Sequence, residues 1–148
     1  MKKFKVGIQL YSLRDAMEKD MDSTLKTVKE MGYDYVEFAG YFGKSAEEVK
    51  AILDKYGLEA VSVHQAISLF EEEGQKAVDY LKTLGVKYCA IPWYNVDEFI
   101  SNWDATMDKF KNVSKLLGDN DIKLMYHNHD FEFNKINGEY ILDRLYAT

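Results

Sequence analysis

Two histidines and two carboxylates crowd one short stretch of this chain, Tyr126-His127-Asn128-His129-Asp130-Phe131-Glu132-Phe133. The sequence has only three histidines in all. An apolar run, Ile122 to Tyr126, leads into the stretch and reads as a strand. Histidines at i and i+2 on an extended chain point to the same face. Imidazole and carboxylate together can bind a divalent ion or move a proton. As a binding module, His127, His129 and Glu132 would be the ligands, with His64 as a fourth. Glu132 has an equally good reading as a solvated loop residue.

Other polar residues fall at the ends of apolar runs: Gln9 and Tyr11, Glu37, His64 and Gln65, then Trp93. Glu37 interrupts the run Tyr35-Val36-Glu37-Phe38-Ala39, and a buried carboxylate needs a partner. His64 taken alone reads as a strand-end residue bonded to a loop carbonyl. Trp93 and Tyr11 are of a kind to stack on a ligand ring, although large aromatics more often pack in cores. Cys89, in the middle of a run, reads as a small core residue.

The elements that must position these residues follow a repeating pattern. An amphipathic stretch closes with a lysine and a glycine, and an apolar run follows. Lys29 to Gly32 precedes Tyr35–Phe38, Lys55 and Gly57 precede Leu58–His64, Lys82 to Gly85 precedes Val86–Ile91, and Lys115 to Gly118 precedes Ile122–Tyr126. Glycine just past a helix end permits a left-handed cap, and lysine in the last turn suits the helix dipole. The first strand is expected over Phe4–Leu10. Helices are expected from a cap at Asp22 or Ser23, from a capping box at Ser45 and Glu48, over Glu71–Leu84, over Asp97–Leu117 and over Tyr140–Tyr146, the last after a turn at Asn137-Gly138. The run Glu71-Glu72-Glu73 reads as a solvated helix start.

The order is therefore β-α-β-α-β-α-β-α-β with a short tail, a single α/β domain over residues 1–148. The strands are apolar on both faces, as in a parallel sheet covered by helices. Two architectures fit: the first five strands of a (β/α)8 TIM barrel, or a five-stranded flavodoxin-like doubly wound sheet. In both, ligands bind at the carboxyl ends of the strands, where all three histidines fall.

The formal net charge of −6 argues against a nucleic-acid surface. No apolar run reaches the roughly 18 residues of a membrane span. The N-terminus lacks the apolar core of a signal peptide, and one cysteine cannot form an internal disulfide, so a cytoplasmic protein is expected. Phosphate-cradling glycine loops, Gly-x-Ser-x-Gly and Cys-x-x-Cys are absent from the sequence.

Gly7-Ile8-Gln9-Leu10-Tyr11-Ser12-Leu13-Arg14, Gly32-Tyr33-Asp34-Tyr35-Val36-Glu37 and Tyr126–Phe133 together resemble the sugar phosphate isomerase/epimerase family of xylose-isomerase-like TIM barrels. The resemblance implies a partial (β/α)8 barrel and proton transfer next to a carbonyl, assisted by a divalent metal: Mn²⁺ first, with Zn²⁺ or Co²⁺ as alternatives. It implies a sugar or sugar phosphate as substrate. Glu37, His64 and His127 become catalytic candidates, and Gln9, Tyr11 and Trp93 substrate-binding candidates. His127, His129 and Glu132 become metal candidates. His127 stands where many relatives carry a glutamate ligand. Such barrels usually run to about 250 residues, so a fragment is expected, lacking ligands from strands six to eight. Its two open sheet edges lead us to expect a homodimer.

Overall fold

The structure, a computed structural model, describes residues 6–148. Phe4, expected in the first strand, lies outside them. Five parallel strands form one sheet: β1 Gly7–Gln9, β2 Tyr35–Phe38, β3 Glu59–His64, β4 Tyr88–Ile91 and β5 Lys123–Tyr126. Their order across the sheet is β1-β2-β3-β4-β5. A flavodoxin-like sheet reverses its order at β1 and places helices on both faces. Here the strands wind in one direction, so the doubly wound alternative is incorrect. The arrangement is a partial barrel.

The helices are α1 Arg14–Lys19, α2 Met21–Glu30, α3 Ala46–Tyr56, α4 Ile67–Glu73, α5 Gln75–Leu84, α6 Val96–Ser101, α7 Trp103–Gly118 and α8 Ile141–Tyr146. Along the sheet α2 packs on α3, α3 on α5 and α5 on α7. This single layer follows the strand order. Its core joins Val36, Phe38, Val63, Cys89 and Ile91 of the strands to Leu25, Val28, Val49, Leu53, Val78, Leu81, Val113 and Leu117 of the helices. Side chains alternate along a strand, so the intervening residues face the concave side. There Tyr88 and Met125 are exposed.

Local chemistry explains the element boundaries. Ser45 and Glu48 form the expected capping box at α3. Gly57 and Gly85 take left-handed caps after α3 and α5. Asn137 and Gly138, with φ of 53° and 90°, turn the small hairpin of β6 Lys135–Ile136 and β7 Glu139–Tyr140. Three expectations need correction. The cap of α2 is Asp20, which accepts from the Ser23 N–H at 3.0 Å; Asp22 instead accepts from Lys55 and Tyr56. The stretch Glu71–Leu84 is not one helix. Gly74, at φ 54° and ψ −124°, closes α4 and opens α5, so Glu71–Glu73 form the end of a helix rather than its start. Asp97–Leu117 is likewise divided, at Asn102.

Candidate functional site

The carboxyl ends of the strands gather the polar residues. Gln9 closes β1 and is in register with Glu37 of β2, which is in register with Ser62 of β3. A register shift after Val36 brings Glu37 opposite Ser62. His64 lies two residues beyond Ser62 and so shares its face. His127 follows β5 directly; its N–H donates to the Ile91 carbonyl at 3.0 Å, extending the pairing with β4 by one residue.

Glu37 is the hub of this cluster. Its Oε1 accepts from the Gln9 amide at 2.9 Å and lies 3.1 Å from His64 Nε2. Its Oε2 accepts from the Ser62 hydroxyl at 2.5 Å. The bonds from His64, Ser62 and Gln9 outweigh desolvation and bring the Glu37 carboxyl down to about 2. The partner Glu37 required is thus a histidine with two neutral donors, not a lysine or arginine.

The histidines form a row. The rings of His64 and His127 lie 4.8 Å apart, and those of His127 and His129 4.9 Å apart. Burial, with His64 and His129 alongside, lowers the pKa of His127, which favours its neutral form. A cavity of about 420 Å³ opens over the cluster, lined by Gln9, Tyr11, Ala39, His64, Pro92, Trp93, His127 and His129. Tyr11 and Trp93 are 57% and 56% exposed, so they are not packed in the core; Arg14 lies over the Tyr11 ring at 4.7 Å. Phe131 stacks on His129 at 5.1 Å and meets Trp93 edge-on at 6.4 Å.

Residues 25–144 match the sequence model of the family described as xylose isomerase-like TIM barrel. The chain belongs to the xylose isomerase-like TIM barrel family. No curated protein matches it. Among solved structures it resembles two sugar phosphate isomerases/epimerases from Parabacteroides distasonis ATCC 8503, each at 24% identity. Their TM-scores are 0.81 and 0.78, over 99% and 96% of this chain and 62% and 64% of theirs. An AP endonuclease, family 2, from Brucella melitensis matches with a TM-score of 0.60 at 13% identity, over 84% of this chain and 58% of that one. At these identities the likeness concerns the fold. The chain spans about three fifths of the length of these relatives.

Membership of this barrel family raises the question of a metal ion. The set His127, His129 and Glu132 does not assemble one site. Glu132 is buried at 0% exposure, and neither of its oxygens faces the cavity. Oε1 accepts from the Tyr126 hydroxyl at 2.5 Å and Oε2 from the His129 N–H at 2.7 Å. Glu132 is therefore not a solvated loop residue; with both oxygens engaged it braces the turn that leaves β5. Among the described residues no group of three or more His, Cys, Asp or Glu is arranged to hold a metal.

Gln65 lines a different cavity, beside α3 and α5. Two residues of the site escaped the sequence reading. Ser62 was detectable, because it precedes His64 by two on the same strand. The stacking of Phe131 on His129 had no signal beyond its neighbourhood.

Proposed function

We propose that this barrel segment carries part of a sugar or sugar phosphate isomerase/epimerase site that moves a proton at the carbon next to a carbonyl. The observation that carries the reading is the Gln9–Glu37–Ser62–His64 cluster opening, with His127, onto one cavity at the strand ends. A C–H bond beside the carbonyl breaks, its electron pair forms the C=C of an enediolate while the carbonyl π pair moves onto oxygen, and the proton goes to a group of this cluster. Return of the proton to the neighbouring carbon, with a hydroxyl proton passing between the two oxygens, gives isomerisation; return to the opposite face of the original carbon gives epimerisation. Neutral His127 is suited to donate a hydrogen bond to the carbonyl oxygen as charge develops there. Tyr11 and Trp93 offer exposed rings against which a sugar can lie. The family and its solved relatives named as sugar phosphate isomerases/epimerases support a sugar substrate. A net charge of −6 weighs against nucleic acid. Among the described residues no helix is long and apolar enough to cross a membrane.

The test is proton exchange followed by ¹H NMR in D₂O, with ketopentoses, ketohexoses and their phosphates. Deuterium should enter beside the carbonyl of at least one substrate faster than in buffer. No acceleration with any of them would overturn the reading.

A further inference from the structure

We propose that the cavity beside α3, α4 and α5 is a second binding site, and that it takes a small organic cation: a primary ammonium group on an apolar body. The inference is independent of the proton-transfer reading. The cavity measures about 530 Å³, within the range of small-molecule sites. No described residue lines both it and the cavity at the strand ends. The two are neighbours along the chain. The segment after β2 gives Ala39 to the first cavity and Tyr41 to the second, and His64 and Gln65 divide in the same way.

Charge selects the ligand. Glu47, Glu73 and Asp79 line the cavity against a single lysine, Lys76, which already pairs with Glu73 at 3.3 Å. Asp79 accepts from the neutral Gln75 amide at 2.9 Å, and neither it nor Glu47 has a cationic partner among the described residues. The start of α3 also lies here, and a helix N-terminus by itself favours an anion. Its capping box already occupies that end with the Ser45 hydroxyl and the Glu48 carboxylate, and an anion would face three carboxylates.

The walls suit an apolar body carrying that charge. Leu69, Ala77 and Leu81 lie beside the rings of Tyr41 and Tyr80, whose centroids are 4.2 Å apart. Aromatic rings attract a cation. Burial, then the charges of Glu47 and Glu48, push the Tyr80 hydroxyl up to about 12, so the negative potential reaches the rings. The Tyr80 hydroxyl donates to the Lys44 carbonyl at 2.9 Å. The Tyr41 hydroxyl, by contrast, is buried and has no hydrogen-bond partner among the described residues. A buried hydroxyl without a partner is costly, and an ammonium donor in the cavity can relieve that cost. The Gln65 side chain, also unbonded among the described residues, adds a carbonyl oxygen.

¹H–¹⁵N correlation spectra of the labelled chain, titrated with phenethylamine to roughly 10 mM, test the site. We expect the amide signals of Ala46 and Ala77 and the side-chain amide of Gln65 to move together and saturate. The Trp93 indole N–H, in the other cavity, should stay in place. Phenethyl alcohol, of the same shape without the charge, should bind about threefold or more weakly, and phenylacetate should leave the signals unmoved. No movement with phenethylamine, equal affinity for the alcohol, or a larger response at Trp93 overturns the inference. The double variant Glu47→Gln, Asp79→Asn should bind phenethylamine about threefold or more weakly; both side chains are exposed, and circular dichroism establishes that the variant is folded. Unchanged affinity in it overturns the charge argument, and unchanged affinity in Tyr41→Phe, which keeps the ring, overturns the assignment of the hydroxyl.

Discussion

Glu37 ties the chemistry of the site to the stability of the fold. Its carboxyl is brought from an ordinary 4.5 to about 2, first by His64 and then by Ser62 and Gln9. A carboxyl depressed in the folded state stabilises it above the unfolded pKa, and that stability is lost as pH falls through the folded one. The window runs from about pH 4.5 to about pH 2, and the shift is worth at most about 3 kcal/mol. His127 acts in the same direction. Its lowered pKa means that the neutral ring suits the fold, so stability present above the ordinary imidazole value of 6.5 declines as pH falls below it. Urea unfolding from pH 7 to pH 2 should therefore show a steady acid loss, with Glu37→Gln removing its lower part. An identical acid limb in Glu37→Gln would show that the hydrogen bonds around Glu37 do not perturb it in solution.

Gly74 shows at the level of elements how one residue divides a helix. Its φ of 54° with ψ of −124° is a conformation that residues with a Cβ rarely adopt, although a Cβ there would meet no atom within 4 Å. Gly74→Ala should destabilise the chain by about 1–3 kcal/mol through backbone strain alone. Urea denaturation measures this, and a neutral or stabilising result would mean that α4 and α5 join without cost. Such conformations explain what the sequence made legible and what it did not. Apolar periodicity and Lys/Gly endings revealed the five strands of the main sheet and most helices, though not the strands of the small hairpin, and they placed Gln9, Glu37, His64, His127 and His129 at one edge. Inside Glu71–Leu84 the same periodicity hid the break, because the apolar stripe continues across Gly74. The role of Glu132 was hidden for a related reason. Its spacing from His129 suits a ligand as well as a brace, and only the path of the chain after β5 turns it toward the Tyr126 hydroxyl and the His129 N–H. Strand order was also invisible to periodicity, since a barrel and a doubly wound sheet share the same alternation.

As a whole, the molecule pairs a finished convex side with an unfinished concave one. The helix layer buries one face of β2, β3 and β4 and partly covers that of β1 and β5, which each pair with a single neighbour among the described strands. The concave face exposes Tyr88 at 42% and Met125 at 38%, and Val6, just before β1, is 65% exposed. Open strand edges beside exposed apolar side chains are templates for association. A second copy could cover these faces, most simply by two-fold pairing. We therefore expect the 148-residue chain to self-associate, with a dimer as the smallest species, when measured by light scattering across a range of concentrations. Met125→Lys places a charge on the concave face while leaving the helix layer untouched, so it should shift the equilibrium toward monomer with helix content unchanged. A monodisperse monomer at high concentration would show instead that the open edges are protected within the chain itself. Lys123, exposed on the edge strand β5, is the residue placed to do so, because edge lysines discourage strand addition. Lys123→Thr would then be the variant that restores association.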